Sequence, residues 1–144
     1  MKKSAFLMSF ILAVLISSTA FAANWVEIDK FSENGVFITT YVDKDSIKRG
    51  IESKQFNMSS KDGFSANVRF EFNSEKENKT ATLTNYVGFI EKNGKKVYYC
   101  MDLFDENGNL IPAKDKNLKA DEYSIENDGE VWIKVWDFIS QNLK

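Results

Sequence analysis

Apolar and polar residues alternate strictly over residues 64–73. Successive side chains of a β-strand point to opposite faces, so this segment predicts a strand with one apolar and one polar face. The apolar positions are Phe64, Ala66, Val68, Phe70 and Phe72. Because only one face is apolar, we expect an antiparallel sheet that is covered on one side and wet on the other.

Six other segments carry strand-forming residues between turn signals. They are residues 24–29, 36–42, 52–58, 80–91, 96–104 and 110–111. Asn93-Gly94 tolerates the positive φ angles of a type I′ turn and predicts a hairpin between 80–91 and 96–104. Gly88 lies inside the longest of these segments and indicates a bulge or a close approach by another backbone. The strands 80–91, 96–104 and 110–111 are therefore expected to be successive neighbours in a meander.

Two segments have helical character. Residues 43–50 predict one helical turn, with Asp43 at its start and Gly50 at its end. The second segment is longer. Its apolar residues recur at helical spacing and form one face: Val131, Trp132, Val135, Trp136, Ile139 and Leu143. Asn127 or Asp128 is expected to cap this C-terminal helix.

The apolar stripe of the helix and the apolar face of the sheet can each be buried by packing against the other. A sheet with one apolar face must cover that face, and the helix offers a matching surface with two tryptophans. We therefore predict an α+β fold, with a six- or seven-stranded, mostly antiparallel sheet (a meander) and the C-terminal α-helix packed on one face.

The N-terminus predicts a secretory signal peptide over residues 1–22 and a single mature domain over 23–144. Lys2 and Lys3 precede an apolar run, and Ala20-Phe21-Ala22 offers the small residues of a cleavage site. The alternative is an uncleaved anchor, but the apolar run is shorter than the roughly 20 residues that cross a bilayer. We expect the product in the periplasm, on the cell surface or secreted, with no membrane span after cleavage.

Charge and composition narrow the function. Without Lys2 and Lys3 the chain has 17 basic and 21 acidic residues, a net charge of −4, which argues against a nucleic-acid partner. The chain has no histidine and one cysteine, Cys100. A histidine-assisted nucleophile, a thiolate zinc site and an intramolecular disulfide are therefore excluded. We predict no catalytic residue, no cofactor and no metal site.

One acidic residue and one acidic segment are candidates for catalysis or metal binding. Asp102 lies between Met101 and Leu103, an apolar setting that could raise a carboxyl pKa, but a place on the wet face of a strand explains it more simply. Residues 105–109 resemble part of a calcium loop, but they lack the distant bidentate glutamate, so we expect a turn.

Tyr98 and Phe104 are the candidate protein-contact patch. They share one face of the predicted strand 96–104, opposite Val97, Tyr99 and Met101. If the helix covers the latter face, Tyr98 and Phe104 form an exposed aromatic patch of the kind that marks protein contacts. The alternative is that loops or the short helical turn cover them.

The order of these features resembles the surface-adhesin E family of small exported bacterial proteins. A leader is followed by Asn24-Trp25-Val26-Glu27-Ile28, then by Tyr41-Val42-Asp43 leading into Asp45-Ser46-Ile47, then by residues 104–111 and a C-terminal helix. The resemblance implies an antiparallel sheet with a C-terminal helix, and a role in binding host extracellular proteins. No binding residue of the family is transferred by a motif.

These observations predict a non-enzymatic, adhesin-like exported binding protein whose partner is a host or envelope protein. The alternative is a periplasmic envelope protein that acts as an enzyme inhibitor or as a carboxylate-dependent hydrolase. An enzyme needs a deep pocket with two acids close together. A small-ligand binder of the barrel type is a third class, but the amphipathic helix needs a sheet face to cover.

Overall fold

The computed structural model describes residues 23–114 and 118–144, so the predicted leader lies outside the described residues. The described chain is a curled half-barrel of eight strands with one C-terminal helix, which confirms the α+β prediction. The strands are β1 (Trp25–Glu33), β2 (Val36–Asp43), β3 (Lys48–Ser53), β4 (Met58–Ser74), β5 (Lys79–Lys92), β6 (Lys95–Phe104), β7 (Leu110–Ile111) and β8 (Tyr123–Ser124). The helix, α1, is Glu130–Gln141. No helix among the described residues is long and apolar enough to cross a membrane.

Neighbouring strands follow the order β1-β2-β4-β5-β6-β7, and every pairing within the described residues is antiparallel. The predicted meander β5-β6-β7 is confirmed, with Asn93 and Gly94 both at positive φ in its first turn. β8 pairs with the start of β6 and β7 with its end.

One edge of the long strand β4 is covered by two strands placed end to end. β2 pairs with 68–74 and β3 pairs with the first half of β4. Between them the chain makes a 3-10 helix, Lys44–Ser46, where a full helical turn over 43–50 was predicted. Ser46 bridges this interruption: its hydroxyl donates to the Asp43 carbonyl (2.7 Å) and accepts from the Asn67 N–H (2.8 Å). The Tyr-Val-Asp and Asp-Ser-Ile residues therefore form the corner between β2 and β3, which pair with the same side of β4.

The prediction of a strand over 52–58 is wrong. β3 begins earlier, at Lys48, and ends at Ser53, and a turn then leads to Met58 at the start of β4. Asn57 lies in this turn at a φ of 46°. Apolar residues at both ends of the turn made the segment look continuous, whereas the chain reverses within it.

The helix covers the apolar face of β4, as predicted. Val68 is fully buried and Phe70 packs edge-to-face on Trp132, with 5.8 Å between ring centroids. Trp132 and Trp136 are each 8% exposed. The expected cap is wrong: Gly129 holds the N-cap position, with no side-chain cap, and the Asp128 carboxylate accepts a hydrogen bond from Tyr98 instead.

The opposite face of the sheet is not uniformly wet. There β3 curls over β5, and a second apolar cluster forms from Ile51, Tyr86, Val97, Tyr99 and Met101. Gly88 makes this approach possible, because a Cβ there would lie 2.6 Å from the Ile51 side chain. Gly88 is therefore a site of close approach, but by the Ile51 side chain rather than by another backbone as predicted.

Candidate functional site

The site with the most recognition chemistry is an open pocket of about 500 Å³ on the sheet face opposite α1, here called the Arg69 pocket. Its lining comes from four places in the chain. The polar face of β4 and β5 forms the floor, and the N-terminal segment, the corner after β2 and the turn after β6 form the walls. The lining residues are Ala23, Trp25, Asp43, Asp45, Ser46, Asn67, Arg69, Thr82, Thr84, Phe104, Asp105, Glu106, Asn107 and Gly108.

Sheet register builds the floor of the pocket. Tyr41 on β2 is opposite Arg69 on β4, Arg69 is opposite Thr84 on β5, and Thr84 is opposite Phe104 on β6. Residues in register on neighbouring strands point to the same face, so these four side chains form one row across the sheet. Of the described residues that line the pocket, Arg69 is the only basic one.

The Arg69 guanidinium is held by aromatic rings. Its central carbon lies 4.4 Å from the Trp25 ring centroid and 5.0 Å from that of Tyr41. These are cation–π distances, so both rings stabilise the guanidinium at this position. Among the described residues, no carboxylate lies within salt-bridge distance of Arg69, and its buried Nε has no hydrogen-bond partner. The Arg69 guanidinium therefore lies against two aromatic rings and has no paired carboxylate within the part of the chain that the structure describes.

Asp43 anchors the wall formed by the N-terminal segment. It is 8% exposed, and its Oδ1 accepts from the backbone N–H groups of Asn24 and Asp45, each at 3.1 Å. The carbonyl of Asn24 in turn accepts from the N–H of Lys44 at 2.9 Å. These bonds fix the chain immediately after Ala23, which itself lines the pocket. Asp45 is exposed at the rim.

The opposite wall is the turn after β6, and this turn is the one predicted over residues 105–109. Asp105 Oδ1 accepts from the N–H groups of Asn107 (2.9 Å) and Asn109 (2.8 Å), and Gly108 takes a φ of 79°. The hydrogen bond from the Asn109 backbone, with the further bonds of the turn, lowers the pKa of Asp105. Asp105 is thus held ionised. The described lining residues include four acidic side chains, of Asp43, Asp45, Asp105 and Glu106, and one basic side chain, of Arg69.

The two residues of the predicted contact patch do not lie together. Tyr98 is buried, 5% exposed, and stacks on Trp132 under the helix. Phe104 lies on the other face, where it packs against the second apolar cluster and lines the Arg69 pocket. A bulge separates them: Asn85 and Val87, two apart on β5, pair with Leu103 and Cys100, three apart on β6. One extra residue in β6 reverses the face of every position after it.

Exposed large apolar side chains lie elsewhere in the described chain. At the end of the helix-side face that the helix does not cover, Phe31 is 40% and Leu83 36% exposed. Phe31 pairs with Ile38, and Ile38 with Phe72, so these apolar residues form a row across three strands.

The other singled-out residues have structural contacts. Asp102 Oδ1 accepts from Ser53 Oγ and Gln55 Nε2, both at 3.0 Å, and so ties the turn after β3 to β6. Cys100 is half-buried and packs against the helix-side core; burial, with the Asp128 charge, raises the pKa of its thiol to about 11. Within 23–114 and 118–144, no three acidic or cysteine side chains are grouped to hold a metal ion.

Comparisons of the chain with protein-family models, with curated proteins and with solved structures found no match. The resemblance to the surface-adhesin E family therefore rests on the sequence features alone. The fold and the Arg69 pocket are the observations from which function is argued.

Sequence reasoning found Phe104 and the acidic turn but missed Arg69 and Trp25 as a pair. The available signal was composition: the chain has only two arginines, and Arg69 is the one placed on the polar face of the clearest strand. Its aromatic neighbours come from β1 and β2, so the contact of Arg69 with these rings depends on a strand register that cannot be derived from the sequence.

Proposed function

We propose that this chain is a non-enzymatic exported binding protein of adhesin-like type, and that it recognises its partner at the Arg69 pocket. The observation that carries the proposal is the Arg69 guanidinium, which lies against the Trp25 and Tyr41 rings and has no carboxylate of the described residues within salt-bridge distance. A rigid, unpaired arginine in an open pocket is pre-organised for recognition, since its donors lose little freedom when a partner binds.

The acidic residues of the pocket favour binding over hydrolysis. A carboxylate-dependent hydrolase needs one carboxyl with a raised pKa to act as general acid. Hydrogen bonds from backbone N–H groups, that of Asn109 first, lower the pKa of Asp105 instead of raising it. The Asp43 carboxylate is engaged with two backbone N–H groups, which suits a positioning role.

A binding experiment on the chain that begins at Ala23 tests the proposal. Any tag belongs at the C-terminus, because Ala23 lines the pocket whereas the helix lies on the other face. The immobilised protein is presented with purified extracellular-matrix proteins and with a soluble envelope extract. Arg69→Gln is the test variant and Arg49→Gln, an exposed arginine on β3, is the matched control.

We expect a matrix or envelope protein to be retained at micromolar concentration by the parent and by R49Q, and lost with R69Q. Retention by R69Q equal to that of the parent, or retention of no partner by the parent, would contradict the proposal. Export is tested separately by cell fractionation and N-terminal mass analysis, which should find a chain that starts at Ala23 outside the cytoplasm.

A further inference from the structure

The charges of the Arg69 pocket are arranged in two zones. Arg69 lies on the floor, in register with Thr84 and Phe104. The acids lie on the two walls, at the corner after β2 and in the turn after β6, where Asp45 and Glu106 are exposed. A ligand that enters the pocket therefore meets negative walls before it reaches a positive floor.

The floor selects a planar anion. A guanidinium offers parallel N–H donors that match the two oxygens of a carboxylate, and such paired bonds are among the stronger hydrogen bonds in proteins. The rings of Trp25 and Tyr41 lie against the guanidinium and hold it in place. No carboxylate of the described residues forms a salt bridge with Arg69, so the ligand supplies this anion.

The walls select against a ligand that is only anionic. The described lining residues include four carboxylates and one guanidinium, so their net charge is negative. Like charges repel at close range, so these carboxylates oppose the entry of a ligand that carries only negative charge. A basic group beside the ligand carboxylate removes this opposition and pairs with the walls. The pocket volume of about 500 Å³ has room for more than one side chain.

We infer that the partner is a polypeptide segment that places one carboxylate side chain on Arg69 between basic side chains that face the Asp45 and Glu106 walls. This inference rests on the proposed function, which supplies the polypeptide nature of the partner; the pocket supplies the charge pattern. The open mouth of the pocket, with its exposed rim residues, admits a side chain from a larger molecule.

A thermodynamic cycle with synthetic peptides tests the inference. The probe is a fluorescein-labelled, terminally blocked peptide, Lys-Gly-Glu-Gly-Lys, read by anisotropy. One analogue replaces its glutamate with glutamine, and a second replaces both lysines with norleucine. Each is titrated into the parent protein, R69Q, the double variant Asp45→Asn/Glu106→Gln, and the control R49Q. Changing the peptide leaves the protein fold untouched, so the parent data alone already decide the anion step.

We expect the glutamine analogue to bind the parent about tenfold more weakly or worse, and to lose this difference in R69Q, because the paired charge contact is then absent. The norleucine analogue should bind the parent more weakly and lose that difference in the double variant. R49Q should match the parent throughout.

Three outcomes would overturn the inference. The first is equal binding of the probe and its glutamine analogue, and the second is tighter binding of a penta-glutamate peptide than of the probe. The third is complete competition by free triglycine, which would assign the pocket to small zwitterions. If a matrix or envelope protein is captured through Arg69 while none of the peptides binds, the inferred charge pattern fails and the proposed function stands.

Discussion

The rings of Tyr98 and Trp132 stack with 4.0 Å between their centroids and 22° between their planes. The Tyr98 hydroxyl also donates to Asp128 Oδ2 at 2.9 Å, immediately before the helix begins. Burial, with this hydrogen bond, raises the pKa of Tyr98 far above its ordinary value, so the phenol stays protonated and remains a donor. A residue that the sequence placed on an exposed patch thus fixes the helix to the sheet.

Trp132→Ala should lower the free energy of unfolding by about 3–5 kcal/mol, because it removes a large buried ring and leaves a cavity. Tyr98→Phe keeps the stack and loses only the bond to Asp128, so we expect about 1 kcal/mol. Urea unfolding followed by circular dichroism measures both. Ile133→Ala, on the exposed side of the same helix at 42% exposure, is the control and should cost less than either. Equal losses at positions 132 and 133 would refute this packing.

Gly88→Ala should destabilise the protein by about 1–3 kcal/mol, because the added Cβ would lie 2.6 Å from the Ile51 side chain. Ile51→Ala creates a cavity and should cost about 2–5 kcal/mol by itself. The double variant should lose less than the sum, since the truncated side chain leaves room for the methyl group. Gly88→Ala combined with Val135→Ala, in the helix-side core, should be additive. Strict additivity for the 51/88 pair would show that β3 does not approach β5 as described.

Glu122 should contribute stability at neutral pH that is lost in acid. Hydrogen bonds from Lys92 and then Tyr99 lower the pKa of Glu122 below its ordinary value of 4.5, so the folded chain binds this proton less tightly than the unfolded chain. The contribution is therefore present above pH 4.5 and disappears as the pH falls through the lowered folded pKa. Because the Glu122 side chain is 47% exposed, solvent screens the pair and the effect should stay within about 1 kcal/mol.

The measurement compares Glu122→Gln with the parent in urea at pH 7 and at about pH 3. The parent should have the larger free energy of unfolding at pH 7, and the difference between the two proteins should disappear in acid. Glu91→Gln, at an exposed position on β5, serves as the control. A gap that widens in acid would mean that the sign of the linkage is reversed.

Cys100 should react slowly with thiol reagents in the folded protein. Burial, with the nearby Asp128 charge, raises the pKa of its thiol to about 11, and the thiolate is the reactive form. Alkylation with iodoacetamide at pH 8, followed by mass spectrometry, should leave most of the folded protein unmodified and should be complete in urea. Rapid alkylation of the folded protein, or a disulfide-linked dimer after air oxidation, would contradict this placement.

The alternation over 64–73 and the helical stripe from Val131 predicted most of the residues that β4 and the helix contribute to the main core. Both patterns are local, because one strand face or one helix face is set by the spacing of neighbours in the chain. The Asn93-Gly94 turn was equally readable, since it needs only two residues at positive φ.

The face of β6 and the composition of the Arg69 pocket were decided by tertiary structure. Strand 96–104 is apolar on both faces, so its pattern does not state which face the helix covers, and the one-residue bulge that separates Tyr98 from Phe104 leaves no sequence signature. The pocket needs Trp25, Arg69 and the 105–108 turn in one place. Only strand order and register bring these distant segments together, and both follow from which edges pair when the whole sheet curls.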